Sequence, residues 1–212
     1  MKKQFFFISF FIGLSLIMGL SSCEDKDYNG HEYVDLGLSV KWATCNVGAT
    51  KPEAFGDYFA WGETSPKNSY TDSNYTYSDN PSTLPLNKDA ASVNMGGKWR
   101  MPTKKECQEL IEKCSLEQIT QNGVYGYKVI GPNGNFIFLP ATGYHSFTGR
   151  EYKDDCYFWS SSLHETVPTA AYRMFIGMDE KSNSDYYEEE AIGGWDVATA
   201  RRCGLPIRGV FE

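Results

Sequence analysis

Apolar residues along this chain follow two periods. One segment keeps a helical period: Cys107, Leu110, Ile111 and Cys114 fall at i, i+3, i+4 and i+7 and make a single stripe. Thr103 stands where a helix N-cap is needed, and Glu106 three residues later completes a Thr-x-x-Glu capping box. Glu106 and Glu109 lie early and Lys113 late, as the helix dipole favours, whereas Lys104 and Lys105 oppose it. The spacing therefore predicts one amphipathic helix directly after Gly96-Gly97-Lys98-Trp99-Arg100-Met101-Pro102-Thr103. Asp89 is placed to cap a shorter helical turn before the glycine pair.

Elsewhere the pattern reads as short strands. Residues 33–43 alternate enough for one or two of them, and 57–62 for another. Residues 127–130 and 135–139 flank Gly131-Pro132-Asn133-Gly134, whose proline and glycine sit where a tight turn between two strands wants them. In the second of these strands both faces are apolar, which predicts burial on both sides. Residues 157–161, 171–176 and 205–211 complete the strands; Pro206 marks the last as an edge or a strand start. Two long aperiodic segments remain, 63–85 and 179–202, rich in Ser, Asn, Asp and Tyr. No internal repeat is visible. One main helix against many short strands predicts an α+β domain.

The N-terminus has a different character. Lys2 and Lys3 precede an apolar run that ends at Leu20-Ser21-Ser22-Cys23. The run is too short and too terminal for a comfortable membrane span. It predicts a signal peptide over residues 1–22 and a tether over 23–30, leaving 31–212 as one domain. Removing the leader takes away two lysines, so 18 basic residues face 27 acidic ones and the net charge moves from −7 to −9. An acidic body argues against nucleic acid as a partner. Five cysteines lie beyond Cys23: Cys45, Cys107, Cys114, Cys156 and Cys203. An exported protein can form disulfides, but an odd number leaves at least one thiol unpaired within a chain. Cys107 and Cys114, about 10.5 Å apart along one helix face, are too distant to bridge each other.

Two resemblances sharpen these expectations. The end of the apolar run resembles a bacterial lipobox, which implies a lipidated Cys23; the acidic Glu24, Asp25 and Asp27 resemble a surface-export signal of Bacteroides-like lipoproteins. Residues 33–49, the stretch Gly56-Asp57-Tyr58-Phe59-Ala60-Trp61-Gly62-Glu63-Thr64, and Gly97-Lys98-Trp99-Arg100-Met101-Pro102-Thr103 resemble the Fibrobacter succinogenes major paralogous domain family. Gly131-Pro132-Asn133-Gly134-Asn135, Phe138-Leu139-Pro140-Ala141 and Phe158-Trp159-Ser160-Ser161-Ser162 agree, in order. The closing strand, Pro206-Ile207-Arg208-Gly209-Val210, departs from that family's usual Ser-Val-Arg-Pro-Val. The resemblance implies a C-type lectin-like fold of the formylglycine-generating-enzyme branch and a lipid-anchored place at the outer membrane or cell surface. It also implies proximity, and a bridge, between Cys45 and Cys114, because relatives often carry Cys at these positions.

A fold of this kind fixes no activity, so chemistry has to be read from residues. A cysteine-dependent oxidase needs a reactive thiol pair near the C-terminus, and only Cys203 stands there, in Arg201-Arg202-Cys203-Gly204. Ser160-Ser161-Ser162 lacks a Gly-x-Ser-x-Gly elbow. His31, His145 and His164 have no metal spacing. The acidic run Glu188-Glu189-Glu190, with Asp179, Glu180 and Asp185, offers oxygen ligands for calcium but reads better as a solvated loop, and Trp195-Asp196 is a weak echo of a lectin calcium motif. No cofactor or metal is expected. A non-catalytic binding protein is the first reading, with an oxidase or a structural envelope or pilus-like subunit as alternatives. The expected ligand face joins Tyr186, Tyr187, Trp195 and Asp196 with Tyr75 and Tyr77, for a glycan or protein ligand, membrane contact being through the lipid anchor. Of Tyr70, Tyr75, Tyr77, Tyr186, Tyr187 and Trp195, at least three would then be substantially exposed on one side.

Overall fold

The computed structural model describes residues 27–177 and 193–212. In chain order the elements are β1 (Asp27–Tyr28), β2 (His31–Val34), β3 (Lys41–Asn46), α1 (Ala90–Met95), α2 (Lys104–Lys113), β4 (Ser115–Gln121), β5 (Val124–Ile130), β6 (Phe136–Pro140), β7 (Tyr144–Ser146), β8 (Gly149–Glu151), β9 (Cys156–Leu163), β10 (Ala170–Ile176), β11 (Gly193–Ala200) and β12 (Arg208–Phe211). The strands form small antiparallel sheets in the orders β1-β2-β3-β12, β11-β10-β9, β4-β5-β6 and β7-β8. With two short α-helices beside them, the architecture is α+β.

The predicted helix is α2, and its capping box forms. Thr103 Oγ1 accepts from the Glu106 amide at 3.3 Å, and the Glu106 carboxylate accepts from the Thr103 amide at 2.7 Å. Arg100 adds a bidentate pair to the same carboxylate, at 2.6 and 2.8 Å. Cys107 and Leu110 enter a buried cluster with Trp42, Val129, Leu139, Phe158, Met174 and Val210, while Ile111 and Cys114 pack at its margin. Asp89 caps α1 by accepting from the Ser92 amide at 2.9 Å, and its other oxygen accepts from the Met101 amide at 2.8 Å.

Four parts differ from the sequence expectation. Residues 57–62 form no ladder. Phe59, Ala60 and Trp61 are all buried and pair singly, Phe59 with Leu205 and Trp61 with the Arg201 carbonyl. Next, α2 leads straight into β4, whose turn to β5 is Asn122-Gly123, with φ of +50° and +83°. That dipeptide is a strong hairpin signal, because both positions need a left-handed backbone. The same chemistry at Asn29-Gly30 starts regular structure at Asp27, inside the expected tether. Finally, the expected loop 179–202 ends in β11. Its small residues carry little strand propensity, and pairing with β10 supplies the order.

The closing segment is deeply enclosed: residues 205–211 are all buried. On one side β12 pairs with β3, and on the other Arg100 and Val210 exchange backbone hydrogen bonds at 2.9–3.0 Å, so the edge suggested by Pro206 is covered. Trp42 and Val210 face the α2 cluster, whereas Ala43, Ile207 and Phe211 join a second cluster around Trp61, Trp99 and Trp159. Between them lies Arg208, 0 % exposed. Its guanidinium donates to Asn46 Oδ1 at 2.8 Å and to the carbonyls of Ala43, Thr44 and Phe138 at 3.0, 2.6 and 3.0 Å. Burial pulls its pKa down to about 10, which still leaves it charged at neutral pH.

The expected Cys45–Cys114 bridge is not present: both thiols are free. Cys45 lines a surface pocket with Ala43 and Thr44, while Cys114 packs on the cluster that holds Trp42. Neighbouring residues of β3 serve opposite faces, and the face that carries Cys45 is not the one α2 covers.

Two predictions follow from this packing. Arg208→Ala leaves the carbonyls of Ala43, Thr44 and Phe138 and the Asn46 side chain without this donor, and should cost about 3 kcal/mol or more in urea unfolding. Glu106 is pushed up by burial but held, on balance, below the ordinary carboxylate range by Arg100 and Thr103. Glu106→Gln should therefore be less stable than the parent at neutral pH by about 1 kcal/mol, the worth of a cap. A lowered folded pKa gives stability that is present above the unfolded value and lost as pH falls through the folded one. The gap between variant and parent should close in acid; a constant gap from pH 7 down to acid unfolding would contradict the ion-paired cap.

Candidate functional site

The segment 63–85 is irregular apart from a short 3-10 turn at Asp72–Asn74 and a single bridge from Thr83 to Ser162 of β9. It is nevertheless held, and Arg201 holds residues 75–80 of it. Arg201 follows β11 and is 4 % exposed. All five of its N–H donors are used. Nε donates to the Tyr75 hydroxyl at 2.7 Å, Nη1 to Asn80 Oδ1 at 2.8 Å and the Pro168 carbonyl at 2.9 Å, and Nη2 to the carbonyls of Tyr77 and Asp79 at 2.9 and 2.8 Å. The guanidinium also lies 4.8 Å from the ring of Trp61, 5.5 Å from Tyr75 and 5.3 Å from Tyr77. Each ring face offers negative charge to the cation.

Above this arginine the chain leaves a pocket of about 370 Å³. Tyr75, Tyr77 and Pro168 form its apolar walls; Thr76, Ser78, Asn80 and Thr169 bring polar groups; Arg202 stands at it 3.4 Å from Asp72. Arg201 has no donor left for a ligand, so its part is to fix the wall.

The candidate rings divide. Tyr70 and Tyr77 are buried, and Tyr70 donates to the Tyr58 carbonyl at 2.5 Å. Tyr75 is half-buried; it donates to the Trp61 carbonyl at 2.9 Å, and burial lifts its hydroxyl pKa to about 12. Tyr70 and Tyr77 belong to the core rather than to an exposed face, and Tyr75 packs against it. At Tyr75 and Tyr77 the physical reason is Arg201, which needs ring faces and carbonyls around it; at Tyr70 it is the Tyr58 carbonyl that the hydroxyl reaches. Tyr75 and Tyr77 still show an edge to the pocket. Tyr186 and Tyr187 lie outside the described residues. Trp195 and Asp196 are described only as backbone, in β11 where its register with β10 shifts between Arg173 and Phe175.

Arg201 and Arg202, at the end of the second long segment, meet the first at one end of β10 and β11. Residues 63–85 pack at the end where Ala170 faces Ala200, and the connection from β10 to β11 leaves at the other end, where Ile176 faces Gly193. Six residue steps of strand, about 20 Å, separate the two ends. The far end carries aromatic residues that sequence reasoning missed. Tyr144 and Tyr152 stack at 5.6 Å, Tyr157 meets Tyr144 at 5.2 Å, and the Arg173 guanidinium lies 4.5 Å from the Tyr157 ring. Tyr152, at φ +49°, is 58 % exposed. No local pattern pointed to these residues, because the β7–β8 hairpin is short and its partners are distant in sequence.

The remaining candidates are occupied otherwise. Cys203 is a buried free thiol whose pKa burial raises, the opposite of an activated nucleophile. Imidazoles of His31 and His145 pack edge-on against Trp99 and Tyr58, and His164 accepts from the amides of Thr166 and Val167. Among the described residues no group of three or more His, Cys, Asp and Glu is placed to hold a metal ion, and no helix is long and apolar enough to cross a membrane. The acidic run at 179–190 lies outside the described residues. Comparison with known protein families, curated proteins and solved structures finds no match to this chain.

Replacing Arg201 tests its role. Arg201→Lys keeps the charge but offers three donors where five are used, and should cost about 3 kcal/mol. Limited proteolysis should then cut first within 63–85; unchanged stability and an unchanged cleavage map would show that the segment is held by something else.

Proposed function

We propose that this protein is a lipid-anchored component of the bacterial outer membrane or cell surface, with one C-type lectin-like domain that binds a ligand and does not catalyse. The observation that carries the reading is the pocket beside Arg201, whose wall is fixed before any ligand arrives. A pre-ordered wall spares the cost of ordering a loop on binding. Its size is at the lower end for ligand sites and suits one sugar ring or a pair of side chains. Hydroxyls, an amide and tyrosine edges match a glycan or a peptide segment better than a strongly charged group. The net negative charge adds a preference for neutral or cationic partners.

The alternative of a thiol-dependent oxidase draws little from Cys203, which is buried and protonated. A structural subunit draws nothing specific from the fold. The anchor rests on the lipobox-like end of the apolar run at Cys23.

Two measurements test the proposal. In membrane fractionation, Cys23→Ala should appear in the soluble fraction or as unprocessed precursor; fractionation like the parent would remove the anchor from the reading. For the ligand, the soluble domain should be screened on glycan arrays and surface-protein panels. Ser78→Trp, at an exposed position on the pocket, should weaken any hit roughly tenfold or more, a change of about 1.4 kcal/mol, at an unaltered melting temperature. Binding that ignores Ser78→Trp would place the ligand elsewhere.

A further inference from the structure

Regular structure begins close to the proposed anchor. Asp27 and Tyr28 pair with Glu32 and His31 through the Asn29-Gly30 turn, which Asp27 Oδ1 closes by accepting from the Gly30 amide at 2.9 Å. The hairpin is fastened to the body. The Tyr28 hydroxyl accepts from the Lys98 amide at 3.1 Å, its carbonyl accepts from Trp99 Nε1 at 2.9 Å, and its ring stacks on Phe211 at 4.7 Å. Asn29 Nδ2 donates to the Met95 carbonyl at 2.5 Å. Gly97, at φ +58°, is the partner surface: a Cβ there would stand 2.9 Å from the Tyr28 hydroxyl.

Only residues 24–26 lie between Cys23 and this hairpin. Even fully extended, the four steps from Cys23 to Asp27 reach about 14 Å. A domain of this length has a radius of about 20 Å. The leash is shorter than the body it holds, so a domain fastened at Tyr28 cannot turn freely above a bilayer. The surface next to the fastening point suits such a contact. Val93 on the outer side of α1 is 51 % exposed and Leu86, in the turn that packs on α1, is 66 % exposed. Lys88 and Lys98 are exposed nearby, on a chain whose net charge is negative. Isolated apolar side chains beside lysines fit a phospholipid headgroup layer, where Lys88 and Lys98 offset the exposed Asp27 and Glu32 of the hairpin.

We propose that the surface formed by the 29–30 turn, the 96–98 turn and the outer side of α1 rests on the lipid bilayer, so that the anchor fixes the orientation of the domain. This rests on the acylation of Cys23 proposed above. The test uses the full-length acylated protein in phosphatidylethanolamine vesicles, with the photo-crosslinking residue p-benzoylphenylalanine at Val93 or at Lys98. Phospholipid adducts should form at both positions. Inserting about twenty Gly and Ser residues between Asp25 and Lys26 should lower the adduct yield roughly tenfold, as the effective concentration falls with tether length, while the protein stays on the vesicles. An acyl mass on Cys23 with no adducts, or with yields indifferent to the longer tether, overturns the resting surface and leaves the anchor standing. A chain that carries no acyl group overturns both.

Discussion

A charged group buried without a carboxylate partner is the constraint on which this fold turns. Arg208 lies fully inside the protein and spends its guanidinium on Asn46 and three backbone carbonyls. Burying a cation is costly, and only well-aimed acceptors offset the cost. Those acceptors come from β3 and from Phe138 in β6, so the two strands and β12 must hold one spacing for the charge to be tolerated. Such a group contributes specificity more than net stability, because any slip of register leaves it unmatched. Arg201 repeats the device seven residues earlier for a segment with almost no regular structure. One arginine aligns the sheet and the other orders the loop beside it.

What could be read from the sequence was whatever depended on neighbouring residues. The helix after Thr103, its capping box, the Asp89 cap and the hairpin around Gly131-Pro132-Asn133-Gly134 all rest on contacts a few residues apart, and all are present. Asn122-Gly123 and Asn29-Gly30 carried equally local signals that the reading did not use. Features set by distant partners were not legible. The bridge expected between Cys45 and Cys114 depended on which face of β3 the helix covers. The burial of Tyr77 depended on Arg201, more than a hundred residues away in the sequence, whose acceptors are mostly main-chain carbonyls that no side-chain pattern reveals. Of the proposed site, Tyr75 and Tyr77 were named from sequence, but as exposed rings; the structure makes them walls.

These constraints bear on the proposed function in one direction. Catalysis by thiol needs an accessible, activated cysteine, and burial works against that at Cys107, Cys156 and Cys203. Binding needs a surface that keeps its shape, and the pocket wall beside Arg201 is built to keep it. A short anchor would extend the same economy to the whole domain by fixing which surface faces the membrane.

Amide hydrogen exchange of residues 67–76 in the unmodified domain tests the central claim that the irregular segment beside Arg201 is rigid. The amides of Lys67, Thr71, Asn74 and Thr76 have acceptors in Tyr70, Asn74, Thr71 and Glu63, outside any ladder. A rigid segment requires these amides to exchange roughly a hundredfold or more below the free-peptide rate, close to those of β9 and β10. Exchange at the free-peptide rate, with β9 and β10 still protected, would show a loose segment and contradict the claim.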